Sequence, residues 1–366
     1  MTGYGKWALR AAMAGAATLA VVAALAPPST GSAKAATTWT IFQRNTWAGD
    51  DSIEDVTVAP SGSTWGAGYG SGGPVVQHWV NGSFRTVPLP STWRGRFQAI
   101  DASRSDNVWA FGQDTEAPYA AQWNGTRWTR HAMPEPFSAS DAEAFSPTNV
   151  WAVSGNGQAQ RWNGSSWRFA NAPIKTTAID GGADAQMWAV GHHPGADGRP
   201  QPAAARWDGS KWTEVSPPEL ELPGGESEAI FTDVTMVSTT NVWAVGTLST
   251  VSGDEPGVAK PILAHYVGGK WHVWTSGAGV GYSRVVQDGQ GGIHILQGSW
   301  NPSVLHGRNG VWTRTTLPRT SGYEAAAFTL ERNPVTDTLW ISGFQAPEGD
   351  PDDPTVNGTY WRRLAG

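Results

Sequence analysis

Cysteine is absent from the 366 residues, so disulfides, thiolate metal sites and thiol-linked lipid anchors are closed to this chain. Charge is sparse as well, at 15% of residues, and acids outnumber bases to give a formal charge of −6. Such a chain is a poor partner for nucleic acid or for an anionic membrane surface. Long apolar runs are missing with one exception, Ala11 to Leu25, which is too short to span a bilayer comfortably and has no successor, so membrane insertion is not expected. Lys6 and Arg10 precede that run and Ala33-Lys34-Ala35 follows it, the layout of an export signal cleaved after Ala35. Residues 1–35 hold three basic residues and no acids, so their removal takes the charge from −6 to −9. A secreted, extracellular protein folded without covalent staples is expected. No Gly-x-Ser-x-Gly elbow and no phosphate loop occurs, and nothing calls for a cofactor or a metal.

Glycine and tryptophan, by contrast, are plentiful at 45 and 22 residues, and the tryptophans recur in phrases. Asn107-Val108-Trp109-Ala110-Phe111-Gly112, Asn149-Val150-Trp151-Ala152-Val153, Gln186-Met187-Trp188-Ala189-Val190-Gly191 and Asn241-Val242-Trp243-Ala244-Val245-Gly246 are copies of one sentence, with weaker copies around Trp65, His294 and Trp340. The seven anchors lie 37 to 55 residues apart, the period of four-stranded propeller blades. A second phrase follows each of the first four anchors: Trp79-Val80-Asn81-Gly82, Trp123-Asn124-Gly125, Trp162-Asn163-Gly164 and Trp207-Asp208-Gly209. Asn-Gly or Asp-Gly between aromatic strands is a strong hairpin signal, since a two-residue turn needs positive φ at both central positions. Short apolar stretches before the anchors, such as Asp55 to Ala59 and Asp233 to Val237, complete a four-strand unit, a to d. The last copy lacks a strand d, and Thr37-Thr38-Trp39-Thr40-Ile41 matches the outer strand of the other copies. The expectation is therefore an all-β, single-domain, seven-bladed β-propeller over 36–366. Its ring would be closed by the N-terminal strand at about 37–44, hiding sheet edges that an open stack would expose.

Seventeen tryptophans after residue 35 occupy repeat positions, and repetition in every blade is the mark of inter-blade packing. Four do not. Trp47, Trp93 and Trp274 are read as lying between a strand d and the next strand a, and Trp300 as lying between strands b and c. In a propeller these connections emerge on one face, where the variable loops also bring Tyr69, Tyr282 and Tyr323. Aromatic rings among hydroxyl, amide and carboxylate groups suit the C–H face of a sugar, and equally suit a protein partner. His78 and His265 stand where other blades have Arg161 and Arg206, and read as blade-surface residues. A second candidate is the mouth of the central channel, placed at the start of strand a, where Asp55, Glu143, Asp233 and Arg284 converge if their side chains point inward. That arrangement is a possible site for an ion or small ligand, or plain water lining, and a one-residue slip would reverse it. No paired carboxylates stand out as a catalytic acid and base.

The phrases Val-Trp-Ala-Val-Gly and Arg-Trp-Asn-Gly-Ser-Ser-Trp resemble those of the secreted, tryptophan-rich propellers common in actinobacteria, among them the lectin-like propeller subunits of umbrella toxin particles. The resemblance covers nearly the whole chain after residue 35 and carries no functional residue over. It implies a propeller held by a small protein adaptor and reaching toward target-cell polysaccharide. The residues and the resemblance together point to a non-catalytic, lectin-like module that binds glycan or a cell-surface polymer through its loop-rich face. The alternatives are a subunit of a secreted, toxin-like complex whose main ligand is a protein adaptor, and thirdly a glycan-cleaving enzyme.

Overall fold

A computed structural model describes residues 38–45, 50–70, 72–114, 117–182, 186–252, 255–277, 279–349 and 356–365. Residues 1–35, where an export signal is expected, and Trp47 lie outside the described residues. Twenty-nine strands and no helix are found among them. They form seven antiparallel sheets, in six of which the strands follow one another in chain order, as hairpin-connected blades require. The first blade is Ser52–Val58, Thr64–Gly70, Gly73–Val80 and Ser83–Thr86, running outward from a to d. The inner strands of blades 2 to 6 are Arg96–Arg104, Ala139–Ser146, Lys175–Gly181, Glu226–Ser238 and Tyr282–Gln287. Blade 7 begins with Tyr323–Ala327 and resumes at Glu331–Arg332, and it takes Thr40–Arg44 as its outermost strand, paired with Asn357–Arg363. The ring is thus closed by the two ends of the chain.

Fourteen of the seventeen repeat tryptophans are at most 9% exposed, and the reason is the same in each blade. In blades 2, 3, 4 and 7 the anchor indole of strand b packs on the strand c and d aromatic rings of the next blade. Trp109 meets Trp162 and Trp167 at 5.6 and 5.8 Å, Trp151 meets Trp207 and Trp212 at 5.1 and 5.6 Å, and Trp340 of blade 7 meets Trp79 of blade 1 at 5.1 Å. Blades diverge outward from the axis, and only the largest flat side chains fill the widening wedge. His78 and His265 do more than decorate the blade surface: they lie flat on Trp65 and Trp243 at 3.9 and 3.7 Å, while the Arg161 guanidinium sits over Trp151. This slot covers the anchor ring with a planar polar group.

The glycine that ends the repeat phrase has its own cause. Strand a carries a one-residue bulge in blades 1 to 6, and the partner opposite it comes very close. A Cβ on Gly191 would fall 2.0 Å from the Lys175 carbonyl oxygen, and one on Gly246 2.1 Å from that of Ile230. The hairpin expectation is corrected in three blades. Asn81 and Gly82 both have positive φ and make the two-residue turn. Trp123 pairs with Trp128, Trp162 with Trp167 and Trp207 with Trp212 across four-residue loops. There the Asn or Asp side chain accepts the following backbone N–H groups, as Asn124 does from Thr126 and Arg127, so positive φ is needed only at the glycine.

Candidate functional site

The long connections from strand b to c and from d to a gather on one face, and the structure sorts the aromatic residues assigned there. Trp300 is 55% exposed. Its loop is nonetheless pinned to blade 7: Asn301 N–H donates to the Ala325 carbonyl at 2.7 Å, and Ala327 N–H to that of Ser299 at 2.9 Å. Asn301 adopts φ of 44° and takes the Ala325 N–H on its side chain, and Phe344 supports the indole edge-on at 5.6 Å. The exposed ring is therefore held on a rigid ledge. It borders a groove of about 400 Å³ lined also by Val280, Gln297, Asn301, Ser276 and Arg314.

The other rings differ. Trp93 lies in the connection between blades 1 and 2 but is half-buried, edge-on to Phe97 and Tyr119. Trp274 is not in a connection: it belongs to strand d of blade 5, Lys270–Thr275, opposite Leu263, because that strand runs four residues beyond Trp271. Tyr282 is not among the exposed rings of that face. It opens strand a of blade 6, is 4% exposed and packs into the core with Trp243 and Trp312. Tyr323 is half-buried beneath the Arg44 guanidinium, 5.0 Å from its ring centre. Tyr69 is half-buried on a second groove of about 470 Å³ with Arg96, Gln113 and Asp114, and burial followed by the charges of Glu54 and Asp50 raises its phenol pKa.

The second site lies on the axis, a cavity of about 680 Å³ that Asp55, Glu143, Asp233 and Arg284 all line. Their inward orientation follows from the bulge, which resets the side-chain alternation in each inner strand. The register corrects two details. Asp141, not Glu143, is the blade 3 counterpart of Asp55 and Asp233, each being the first paired residue after the bulge, and Glu143 lies two residues further along. The cavity also extends to Pro60, Arg104, Pro147, Gly182 and Pro334, at the far ends of strand a, so it reaches the face of the short a to b turns and not the loop-rich face.

Most axial carboxylates do structural work that the sequence did not announce. Asp55 accepts its own neighbour's N–H, Val56, and the Ile100 N–H of the next blade, both at 2.8 Å. Asp141 does the same with Ala142 and Ile179, at 2.9 and 2.8 Å, and Asp233 reaches Val285 at 2.6 Å. Blades 2 and 4 place the acid two residues later: Asp101 accepts from Ala144 and Asp180 from Met236, both at 2.5 Å. Five consecutive blade junctions are stapled this way, alternating between two levels. The signal was an aspartate at one of two positions with equal parity in strand a of blades 1 to 5.

Burial, partly offset by these bonds and by Arg284, raises Asp55 to about 7 and Asp233 to about 6. Asp180 is raised to about 7, again by burial first, with Asp233 adding repulsion. Asp141, Glu143 and Glu331 are pushed well above the usual carboxylate range by burial and by neighbouring carboxylates.

No family model matches this chain, and no curated protein matches it. Solved structures do. The chain is similar to YCF48 bound to a D1 peptide, with 12% identity, 93% of this chain and 100% of that one covered, and a TM-score of 0.57. YCF48 from Cyanidioschyzon merolae has 12% identity, coverage of 89% and 98%, and a TM-score of 0.54. The WD40 repeats of RRP9 have 10% identity, coverage of 91% and 99%, and a TM-score of 0.60. At such identities the likeness carries the fold and nothing finer. By sheet order, ring closure and these likenesses, the chain is a seven-bladed β-propeller.

Proposed function

We propose that this chain is a secreted, non-catalytic recognition module that engages its ligand on the loop-rich face, in the groove beside Trp300. The observation that carries the reading is the contrast between a large aromatic ring left 55% exposed and the backbone ladder that fixes it. An exposed indole on a rigid ledge is pre-organised for binding, whereas every other described tryptophan is at least partly covered by its neighbours. The ligand we favour is a glycan or cell-surface polymer: the indole offers a flat face to sugar C–H groups, and Asn301, Ser276 and Arg314 offer hydrogen bonds to hydroxyls. Export is supported by the layout of residues 1–35.

A glycan array with purified protein and with Trp300→Ala tests the reading. Loss of about tenfold or more in affinity, with an unchanged melting temperature, is expected, since a stacked ring contributes on the order of 1 to 3 kcal/mol. Binding unaffected by the substitution would remove the groove from consideration. A protein ligand is the second reading, favoured by a propeller of similar fold solved with a peptide bound. Recovery of a stoichiometric protein from culture medium by the wild type but not by Trp300→Ala would put it first.

A further inference from the structure

The groove beside Trp300 has a polarity that the exposed ring alone does not explain. Asn301 Oδ1 accepts the Ala325 N–H at 3.2 Å and the Arg319 guanidinium at 3.4 Å. Both partners can only donate, so the amide orientation is fixed and the exposed Asn301 Nδ2 is left as a free donor. Gln297 gives its Nε2 to the Val280 carbonyl at 3.0 Å and has its Oε1 buried, so it offers the groove little. Arg314 lines the groove from strand d of blade 6, Val311–Thr316, and is exposed. Among the described residues it forms no ion pair and no hydrogen bond. Apart from the serine hydroxyls, which can act either way, the free side-chain groups of this groove are donors.

Charge points in the same direction. Arg314 carries the only formal charge on the lining, in a chain whose formal charge is −6. The groove beside Tyr69 differs, because Asp114 lines it together with Arg96. A neutral sugar presents hydroxyls that donate as readily as they accept, and would leave the Arg314 guanidinium facing water. An acceptor with a negative charge, carried on a ring that can stack, completes the groove.

We propose that the groove takes an acidic sugar, a hexuronate residue of a polymer, with its C–H face on Trp300 and its carboxylate on Arg314. The proposal rests on the groove being the recognition site and names the class of its ligand. The planar guanidinium fork matches the two oxygens of a carboxylate, and such charge-assisted pairs are stronger and more directional than hydrogen bonds to hydroxyls. Two packed blades set the spacing: the Trp300 segment is bonded to the backbone of blade 7, and Arg314 lies in a strand paired with Leu305 of blade 6.

Calorimetric titration of the whole chain with oligomers of galacturonate, mannuronate and guluronate, each as the free acid and as the methyl ester, tests the proposal. The ester keeps the ring and the linkage and removes the charge. Saturable binding of at least one acid is expected, about tenfold or more tighter than its ester, since a charge-assisted pair is lost in the ester. Arg314→Gln should bring the acid down to the affinity of the ester and leave the ester unchanged, which a misfolded variant would not do. Arg314→Lys, keeping the charge without the fork, should recover part of the preference. Trp300→Ala should weaken both forms. Equal affinity for acid and ester, a preference that survives Arg314→Gln, or no saturation by any acid at low millimolar concentration would overturn the acidic-sugar assignment. In the first two cases, sensitivity to Trp300→Ala would still uphold the groove as the recognition site. Binding indifferent to Trp300→Ala would remove the groove, and this assignment with it.

Discussion

Raising the pH from about 6.5 to about 8.5 should destabilise the ring, and the axial carboxylates set the size of the effect. An acid whose pKa is raised by folding binds more protons in the native state. Its contribution is complete below the unfolded value near 4 and is lost as the pH rises through the folded value. Asp55 and Asp180, at about 7, titrate inside this interval, and Asp233, at about 6, largely below it. A single group at about 7 loses roughly 0.8 kcal/mol across the interval. Asp141, Glu143 and Glu331 add to it, while cavity water and mutual coupling reduce the sum, so about 2 kcal/mol is expected in total. Histidines act in the opposite sense. His265, lowered to about 4 by burial, and His294, lowered well below the usual imidazole range by burial, stay neutral in the fold, so their contribution is lost as the pH falls below the unfolded value near 6.5. Maximum stability should therefore fall near pH 6 to 6.5. Urea unfolding followed by tryptophan fluorescence at constant ionic strength should show a midpoint roughly 0.7 M lower at the alkaline end, for a slope of about 3 kcal/mol per molar. Glu143→Gln/Glu331→Gln should flatten that dependence and raise stability at the alkaline end by about 1 kcal/mol. A midpoint that is flat or rises with pH in the wild type, or a double variant less stable at the alkaline end, would refute the reasoning.

Four further outcomes follow from the packing. Trp151→Ala, at a fully buried anchor, should cost about 3 to 5 kcal/mol in chemical unfolding, against less than about 0.5 kcal/mol for Trp300→Ala. Trp39→Ala should cost a similar 3 to 5 kcal/mol, because this 2% exposed ring packs with Trp361 and Ile341, and hydrogen exchange should show the Thr40–Arg44 strand opening first. Asp288→Asn should cost about 3 kcal/mol, since burial would raise this acid but His306, the Gln290 and Gly292 N–H groups and Arg308 hold it well below the usual range. Gly246→Ala should lower the melting temperature by several degrees, as its Cβ meets the backbone of strand a and not a side chain that can turn away.

The repeat made much of this molecule legible without coordinates. Seven anchors at blade spacing required seven sheets, and a last copy lacking its outer strand required the N-terminal strand beside it, because an incomplete blade leaves a row of unpaired backbone groups. Trp109, Trp151 and Trp188 could be recognised as packing residues because a demand met in every blade comes from the ring and not from a ligand. What remained hidden depends on positions that repetition does not encode. A strand's length is set by its pairing, so Trp274 proved to continue strand d and Tyr282 to begin strand a, buried among aromatic neighbours that are distant in the chain. A one-residue bulge decides which side chains of strand a face the axis, and no local pattern announces it. The charge of the axial cavity is the clearest case. Asp55 and Glu331 are 276 positions apart in the sequence, and each is an ordinary acid there. Only closure of the ring brings them to one axial cavity, where five aspartates become staples between blades.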